Sequence, residues 1–405
     1  VAVCSSDYLP SIGGVAAHVH ELARGLQRLG HVVRVVGFTP TGWGVQATEQ
    51  DGVKAVRLPL SAGPGGKGRF WRFRRFAKDL PRLCGFDTGP YVLHVHDCDY
   101  GHYLAEFAGG PVTRLFTNHT SGFLQDMEED GVPEGWVRRF AMYDGVLAPS
   151  QELADGVIQC KAPADKVRFI PNGVDADRFK PDPALRQRVR QELRIPQNEV
   201  VILCARRFVA KNGVIDFAHG LRELAAVADR TTVLFAGNQP HTTDTYEKET
   251  AGAIKRSPLG RKARFLGAVP NAEMQRLYAA ADLGVLPSLK EATSITGLES
   301  MACGLPLVGT NIGGIPDLIA HDETGLLVEY GNPQAFGAAV AQLVADPIRR
   351  ERLGRQARQK VLGQFTWERV AARTTDFYRA AQPVPPGHTN PRPAQPLNSK
   401  LAGVS

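Results

Sequence analysis

Two carboxylates eight residues apart, Glu291 and Glu299, bracket the run Ala-Thr-Ser-Ile-Thr-Gly-Leu, and the segment continues through Ser300-Met-Ala-Cys-Gly304-Leu-Pro306 to Gly313-Gly314-Ile-Pro316. Thr293, Ser294 and Thr296 offer hydroxyls that cap a helix and Gly304 offers a stop, so the pattern predicts a helix from this cluster to about Cys303. Glu291 then falls in the preceding loop and Glu299 on the helix. The free N–H groups and positive dipole end of such a helix face whatever lies in front of it, and a diphosphate suits that position. Carboxylates on either side of the anion could bind hydroxyls, as a sugar and a ribose would require.

The rest of the chain repeats the strand–loop–helix theme. Val1-Ala-Val-Cys-Ser reads as the end of a buried strand, and a loop from Asp7 to Gly14 closes on Gly13-Gly14 before a helix with apolar positions Val15, Val19, Leu22, Ala23, Leu26 and Leu29. Taken alone, the glycine pair fits a tight turn as well as a phosphate-facing helix end. His31 to Phe38 reads as the second parallel strand, giving a doubly wound α/β sheet in the N-terminal half. Tyr91-Val-Leu-His94-Val-His96-Asp97-Cys-Asp99 is a strand whose two histidines share one face, with carboxylates following at once. That cluster invites a metal reading, but Asp-x-Asp recurs at Asp175-x-Asp177 and the reading adopted is that no metal is held. Arg114 to His119 and Asp144 to Ser150 end two further strands, and Asn172-Gly173 marks a turn.

A polar, charged linker is expected from Phe179 to about Asn198. The sheet pattern then restarts at Val200 to Cys204, which delivers Arg206, Arg207 and Lys211 just past a strand end, where cations favour an anionic ligand over a solvated charge pair. Strands follow at Thr231 and Arg264, and Asp282 to Ser288 leads into the segment bracketed by the two glutamates. A helix opens at Phe365-Thr-Trp367 and runs to about Ala381; the Pro-rich, polar remainder, 382–405, is expected to be disordered.

Glu-x7-Glu, Met-Ala-Cys-Gly-Leu-Pro and Gly-Gly-Ile-Pro together resemble the donor-binding segment of the large family 4 of retaining glycosyltransferases. The chain departs from the family's usual pattern in placing Thr293-Ser294 where Phe-Gly is common, and Asn212 where the family has glycine. The resemblance reaches to about residue 381 and implies a GT-B fold: two Rossmann-like domains, 1–185 and 199–364, facing a central cleft, with 365–381 crossing back to the first. It also implies a reaction, transfer of a sugar from a nucleoside diphosphate sugar, expected to be a UDP-sugar, with retention at the anomeric carbon and with no cofactor and no metal. Residue by residue, it implies that Glu299 holds the ribose and Glu291 the sugar hydroxyls, while Arg206 and Lys211 neutralise the leaving diphosphate. The helix end Thr293, Ser294, Ile295, Thr296 and Gly297 and the loop Gly13-Gly14 assist, Val269 lies on the loop meeting the base, and His119 lines the sugar pocket. A GT-B nucleotide-sugar epimerase and a non-catalytic GT-B binding protein are the rival readings. The Glu-x7-Glu pattern speaks against the first, and intact Arg206, Lys211, Glu291 and Glu299 against the second.

Composition sets the remaining bounds. At 405 residues with 43% hydrophobic and 22% charged residues, the chain suits two globular domains. No apolar run of about 18 residues appears, and the chain starts at Val1 without Met, so a few residues of the first strand are expected to precede it; no signal peptide is seen. Six scattered cysteines (4, 84, 98, 160, 204 and 303) lack metal or redox spacing and fit reduced thiols in a cytoplasmic protein. A net charge of +7 suits anionic substrates or an anionic membrane face and does not imply nucleic acid. The basic, aromatic stretch 66–85, with Phe70, Trp71, Phe73 and Phe76 among Arg72, Arg74 and Arg75, could contact an anionic membrane. A surface helix with its aromatic side packed on the sheet is the preferred reading.

Overall fold

A computed structural model of the chain describes residues 1–9, 14–39, 44–60, 69–86, 89–96, 100–120, 122–237 and 245–382. Runs of β-branched and aliphatic residues form two sheets. The first has eight strands, in spatial order Gln46–Gln50, Val53–Pro59, Arg34–Thr39, Ala2–Cys4, Tyr91–Val95, Val112–Thr117, Gly145–Ala148 and Val167–Phe169. Neighbours are parallel except the antiparallel pair Gln46–Gln50 and Val53–Pro59. The second has six parallel strands, in the order Ala263–Gly267, Thr231–Ala236, Val200–Cys204, Leu283–Leu286, Leu307–Thr310 and Gly325–Val328.

Chain order reverses once near the middle of each sheet. In the first, Ala2–Cys4 pairs with Arg34–Thr39 on one side and Tyr91–Val95 on the other. In the second, Val200–Cys204 lies between Thr231–Ala236 and Leu283–Leu286. At such a reversal the loops beyond the strand ends diverge to opposite faces and leave a crevice, the usual ligand position in a doubly wound sheet. Ser5, His96, Ala205 and Pro287, each directly after its strand, lie at these two reversals.

Each sheet is covered on both faces. Leu93, Val95, Phe116 and Phe123 belong to one core of the first sheet, and Val19, Leu22, Leu26 and Val35 to the other. The helix Gly14–Arg28 therefore buries its predicted stripe, apart from Val15, which is half-buried, and Leu29, which follows the helix and is exposed. The helix Arg69–Lys78 turns Phe73 into the core, where its ring stacks on those of Phe38 and Tyr100. Residues 66–68, and the side chains of Phe70 and Trp71, lie outside the described residues. Among the described residues no helix is long and apolar enough to cross a membrane. Five described cysteines are buried and outside any disulfide; Cys98 lies outside the described residues.

Two segments differ from the sequence reading. The second strand begins at Arg34 rather than His31. The expected linker contains the helix Pro183–Glu192, capped by Asp182, whose carboxylate accepts from Leu185 N at 2.9 Å. Arg190 of this helix is fully buried, paired with Asp282 at 2.6 Å, and donates to the carbonyls of Ala280 and Glu199. A buried guanidinium is tolerable only with its donors satisfied, as here. The last helix, Trp367–Ala381, packs on Gly14–Arg28, with Trp367 against Gly173 and Ala371 against Gly25. The segment expected to be a disordered tail lies outside the described residues from 383 onward.

Candidate active site

The strand ends at both reversals surround one cavity of about 480 Å³. Gly14, His119 and Asn172 line it from the first sheet; Arg206, Lys211, Glu291, Thr293, Ile295 and Thr296 line it from the second. Gly14 meets the second sheet directly, since a Cβ on it would lie 3.7 Å from Ile295 Cδ1.

Local structure fixes these residues. The helix Ile295–Ala302 is capped by Ser294, whose Oγ accepts from Gly297 N at 3.1 Å. It ends at Cys303, followed by Gly304 at φ +79°. The Thr293 hydroxyl donates to the carbonyl of Pro149, fastening the start of the helix to the first sheet. Gly313 and Gly314 are dictated by contact: a Cβ on either would strike the carbonyl oxygen of Glu291 or Ala292 at 2.1 or 1.7 Å. Gly314 N donates to Glu291 O at 2.8 Å, which pins the backbone carrying that carboxylate.

Arg206 forms an ion pair with Glu291 and donates to Ser288 Oγ at 2.6 Å and Asn212 Oδ1 at 3.3 Å. The buried Asn212 returns a bond from Nδ2 to Arg207 O at 2.9 Å. Lys211 is exposed, and its carbonyl accepts from Leu289 N at 2.8 Å and Lys290 N at 3.2 Å, tying together the loops after the two central strands. Arg207 and Lys290 line the cavity as well. Four cations thus converge with one carboxylate, which makes the cavity attractive to a multiply charged anion.

Other predicted residues stand apart. Gly13 lies outside the described residues. Ser294 and Gly297 are buried in the helix cap beneath the lining. Val269 is half-buried against the core and does not line the cavity. Glu299 is only 3% exposed and accepts from Tyr278 Oη at 2.8 Å, with Asn271 Nδ2 at 3.5 Å. Burial pushes its carboxyl up to about 7, against the smaller opposing effect of these bonds.

Histidines were only partly placed by the sequence. His94 is occupied at both ring nitrogens, by Tyr378 Oη at 2.8 Å and Thr117 Oγ1 at 2.6 Å, so it has no lone pair to spare. Asp97 and Asp99 lie outside the described residues. His96 instead meets His119 at 3.0 Å, and both rings contact His18, whose Nδ1 is 2.7 Å from Asn172 Oδ1. Burial holds His18 down to about 4 and, with the neighbouring imidazoles, holds His96 and His119 well below the usual histidine range. The sequence marks Asn172 only as part of a turn and gives His18 no role; the signals available were the glycine next to Asn172 and the glycine pair four residues before His18.

A family model described as Glycosyltransferase Family 4 matches residues 12–178, and one described as Glycosyl transferases group 1 matches residues 186–360. The chain is 29% identical to alpha-maltose-1-phosphate synthase of Mycolicibacterium smegmatis, over 94% of this chain and 98% of that one. It is 29% identical to D-inositol 3-phosphate glycosyltransferase of Xylanimonas cellulosilytica, over 91% and 92%. Among solved structures, sucrose-phosphate synthase from Thermosynechococcus elongatus superposes with a TM-score of 0.73 at 23% identity, covering 93% of this chain and 98% of that one. Anabaena HepE in complex with UDP and glucose gives 0.74 at 18%, covering 94% and 99%. Both likenesses extend over the two sheets together.

Proposed function

Because this chain is a GT-B glycosyltransferase of the family 4 type, we propose that its cavity transfers a sugar from a nucleoside diphosphate sugar, with uridine as the base, to an acceptor hydroxyl with retention. The observation carrying this reading is the meeting of Arg206, Lys211 and Glu291 with the capped start of Ile295–Ala302 in one cavity. Negative charge grows on the leaving diphosphate as the glycosidic bond breaks. Fixed cations and helix N–H groups aimed there help the transition state more than the bound donor. The charge is met by side chains, so the proposed transfer needs no metal.

Glu291, held by Arg206 at the cavity wall, is assigned the donor sugar hydroxyls. Glu299 lies one turn beyond Thr296 on the same helix face and is assigned the ribose, extending the donor site from the cavity along the helix. His119, on the first sheet's side, is assigned to the sugar pocket. Neighbours of the same fold support the choice of base, since Anabaena HepE is described in complex with UDP and with UDP-glucose.

The test is release of the free nucleotide from a panel of nucleotide sugars in excess chelator. Slow hydrolysis of a UDP-sugar is the expected result. Turnover appearing only when a divalent metal is restored would overturn the metal-free mechanism, while turnover of a guanosine or adenosine donor alone would overturn only the base assignment.

A further inference from the structure

The three histidines beside the cavity come from three separate segments of the first domain's sheet and helices. His18 sits one turn into Gly14–Arg28, His96 directly follows Tyr91–Val95, and His119 is two residues past Val112–Thr117. Each offers a ring nitrogen, and these nitrogens lie within 4.8 Å of one another. The His18 tautomer is set by Asn172: an amide oxygen can only accept, so Nδ1 carries the proton and Nε2 keeps its lone pair. Partners of this kind fix the ring orientation of metal-bound histidines. His96 is 1% exposed, yet its Nε2 has no hydrogen-bond partner among the described residues, an unsatisfied buried group that calls for an explanation. Its Nδ1 can share only a single proton with His119 Nε2 across their 3.0 Å contact.

We infer that His18, His96 and His119 form a binding site for a divalent transition-metal ion of the zinc class, set in the wall of the cavity. Among the described residues the set is three imidazoles without a carboxylate or thiolate, a nitrogen set that suits Zn²⁺, Co²⁺, Ni²⁺ or Cu²⁺ rather than the oxygen-seeking Mg²⁺ and Ca²⁺. Tetrahedral ligation at a bond length of about 2.1 Å spaces ligand nitrogens about 3.4 Å apart, a closing that side-chain torsions supply from the spacing seen. Three protein ligands leave a fourth position for water or a molecule in the cavity. The site is distinct from the cations that face the diphosphate in the proposed transfer. It does not rest on that reading, and its occupancy adds positive charge at the opposite wall.

The probe is Co²⁺ added to the chelator-stripped protein, read as visible d–d absorption without any nucleotide sugar. One ion per chain, with the bands of a four-coordinate nitrogen site and displaced by Zn²⁺, is the expected outcome. His119→Ala and His96→Ala are each expected to weaken binding by at least about a hundredfold, and Asn172→Ala by about tenfold to a hundredfold. His119 is partly exposed, so its variant tests the site even where replacing buried His96 prevents folding. Absent bands in the parent protein, full binding retained in His119→Ala, or thiolate charge-transfer bands that place the ion on cysteines would each overturn the inference.

Discussion

Lys211 and Glu299 face different problems although both flank the proposed diphosphate position. Lys211 is an exposed cation at the cavity edge, and its proposed contact strengthens as charge builds on the leaving oxygen. Lys211→Ala is therefore expected to lower kcat by about a hundredfold, with a smaller effect on KM; an unchanged kcat with raised KM would shift the leaving-group role to Arg206. Glu299→Ala removes a contact made equally in ground and transition states, so steady-state kinetics should show a raised KM with kcat nearly kept. The Glu299 carboxyl is also a pH probe of the fold. With its folded pKa raised to about 7 from the ordinary 4.5, the native state holds an extra proton between those values. Its contribution is fully present below about 4.5 and is lost as pH rises through about 7, on the order of 3 kcal/mol in all. Denaturation of the parent and Glu299→Gln from pH 4.5 to 8 should show their stability difference moving against the parent as pH rises; a constant difference would refute the buried acid.

At the scale of elements, the helix Ile295–Ala302 is placed by its cap and by two glycines. Ser294→Ala leaves Gly297 N without its acceptor and should cost about 1 kcal/mol, while Ser294→Gly should cost only a few tenths. Gly313→Ala is a harsher change: at φ +58° its new Cβ would meet the Glu291 carbonyl, so a loss on the order of 3 kcal/mol is expected by chemical denaturation. Because the same contact positions Glu291, activity should fall with stability. The helix Pro183–Glu192 shows the opposite relation between sequence and element. Its apolar stripe is reduced to Leu185 and Val189, and its most buried side chain is Arg190, whose partner Asp282 is 92 residues away. Local pattern reads such a segment as a charged linker; only the distant carboxylate and carbonyls make burial of the guanidinium tolerable.

The whole molecule depends on a chain that leaves the second sheet and returns to the first. Trp367 opens the returning helix, packs its ring on Gly173 and lies 5.3 Å from the His18 ring. It is 6% exposed, so Trp367→Ala should cost about 3–5 kcal/mol by denaturation. The same variant should loosen the His18 ring and weaken Co²⁺ binding. A variant with unchanged stability would show that the returning helix does not brace the first sheet. The cavity depends on the same closure, since Thr293 reaches Pro149 and Gly14 reaches Ile295 only when the two sheets face each other.

The Ser294 cap, the Gly304 stop and the cations just past a strand end are legible in the sequence because each belongs to a local pattern, although Arg206 finds its partner Glu291 85 residues away and the Thr293 hydroxyl finds Pro149. Apolar runs, a Ser that caps its own helix and Gly at a positive φ are local matters and point to the doubly wound fold, whereas the site residues were named through the family resemblance, which reaches half of the cavity lining. What the sequence could not decide was which strand ends meet. His18, His96 and His119 come from three segments up to about a hundred residues apart, Asn172 joins them from a fourth, and no local periodicity encodes that encounter. Glu299 was recognised on its helix, yet its burial against Tyr278 and Asn271 follows from packing between helices. Desolvation, and with it the raised carboxyl pKa, exists only once that tertiary enclosure has formed.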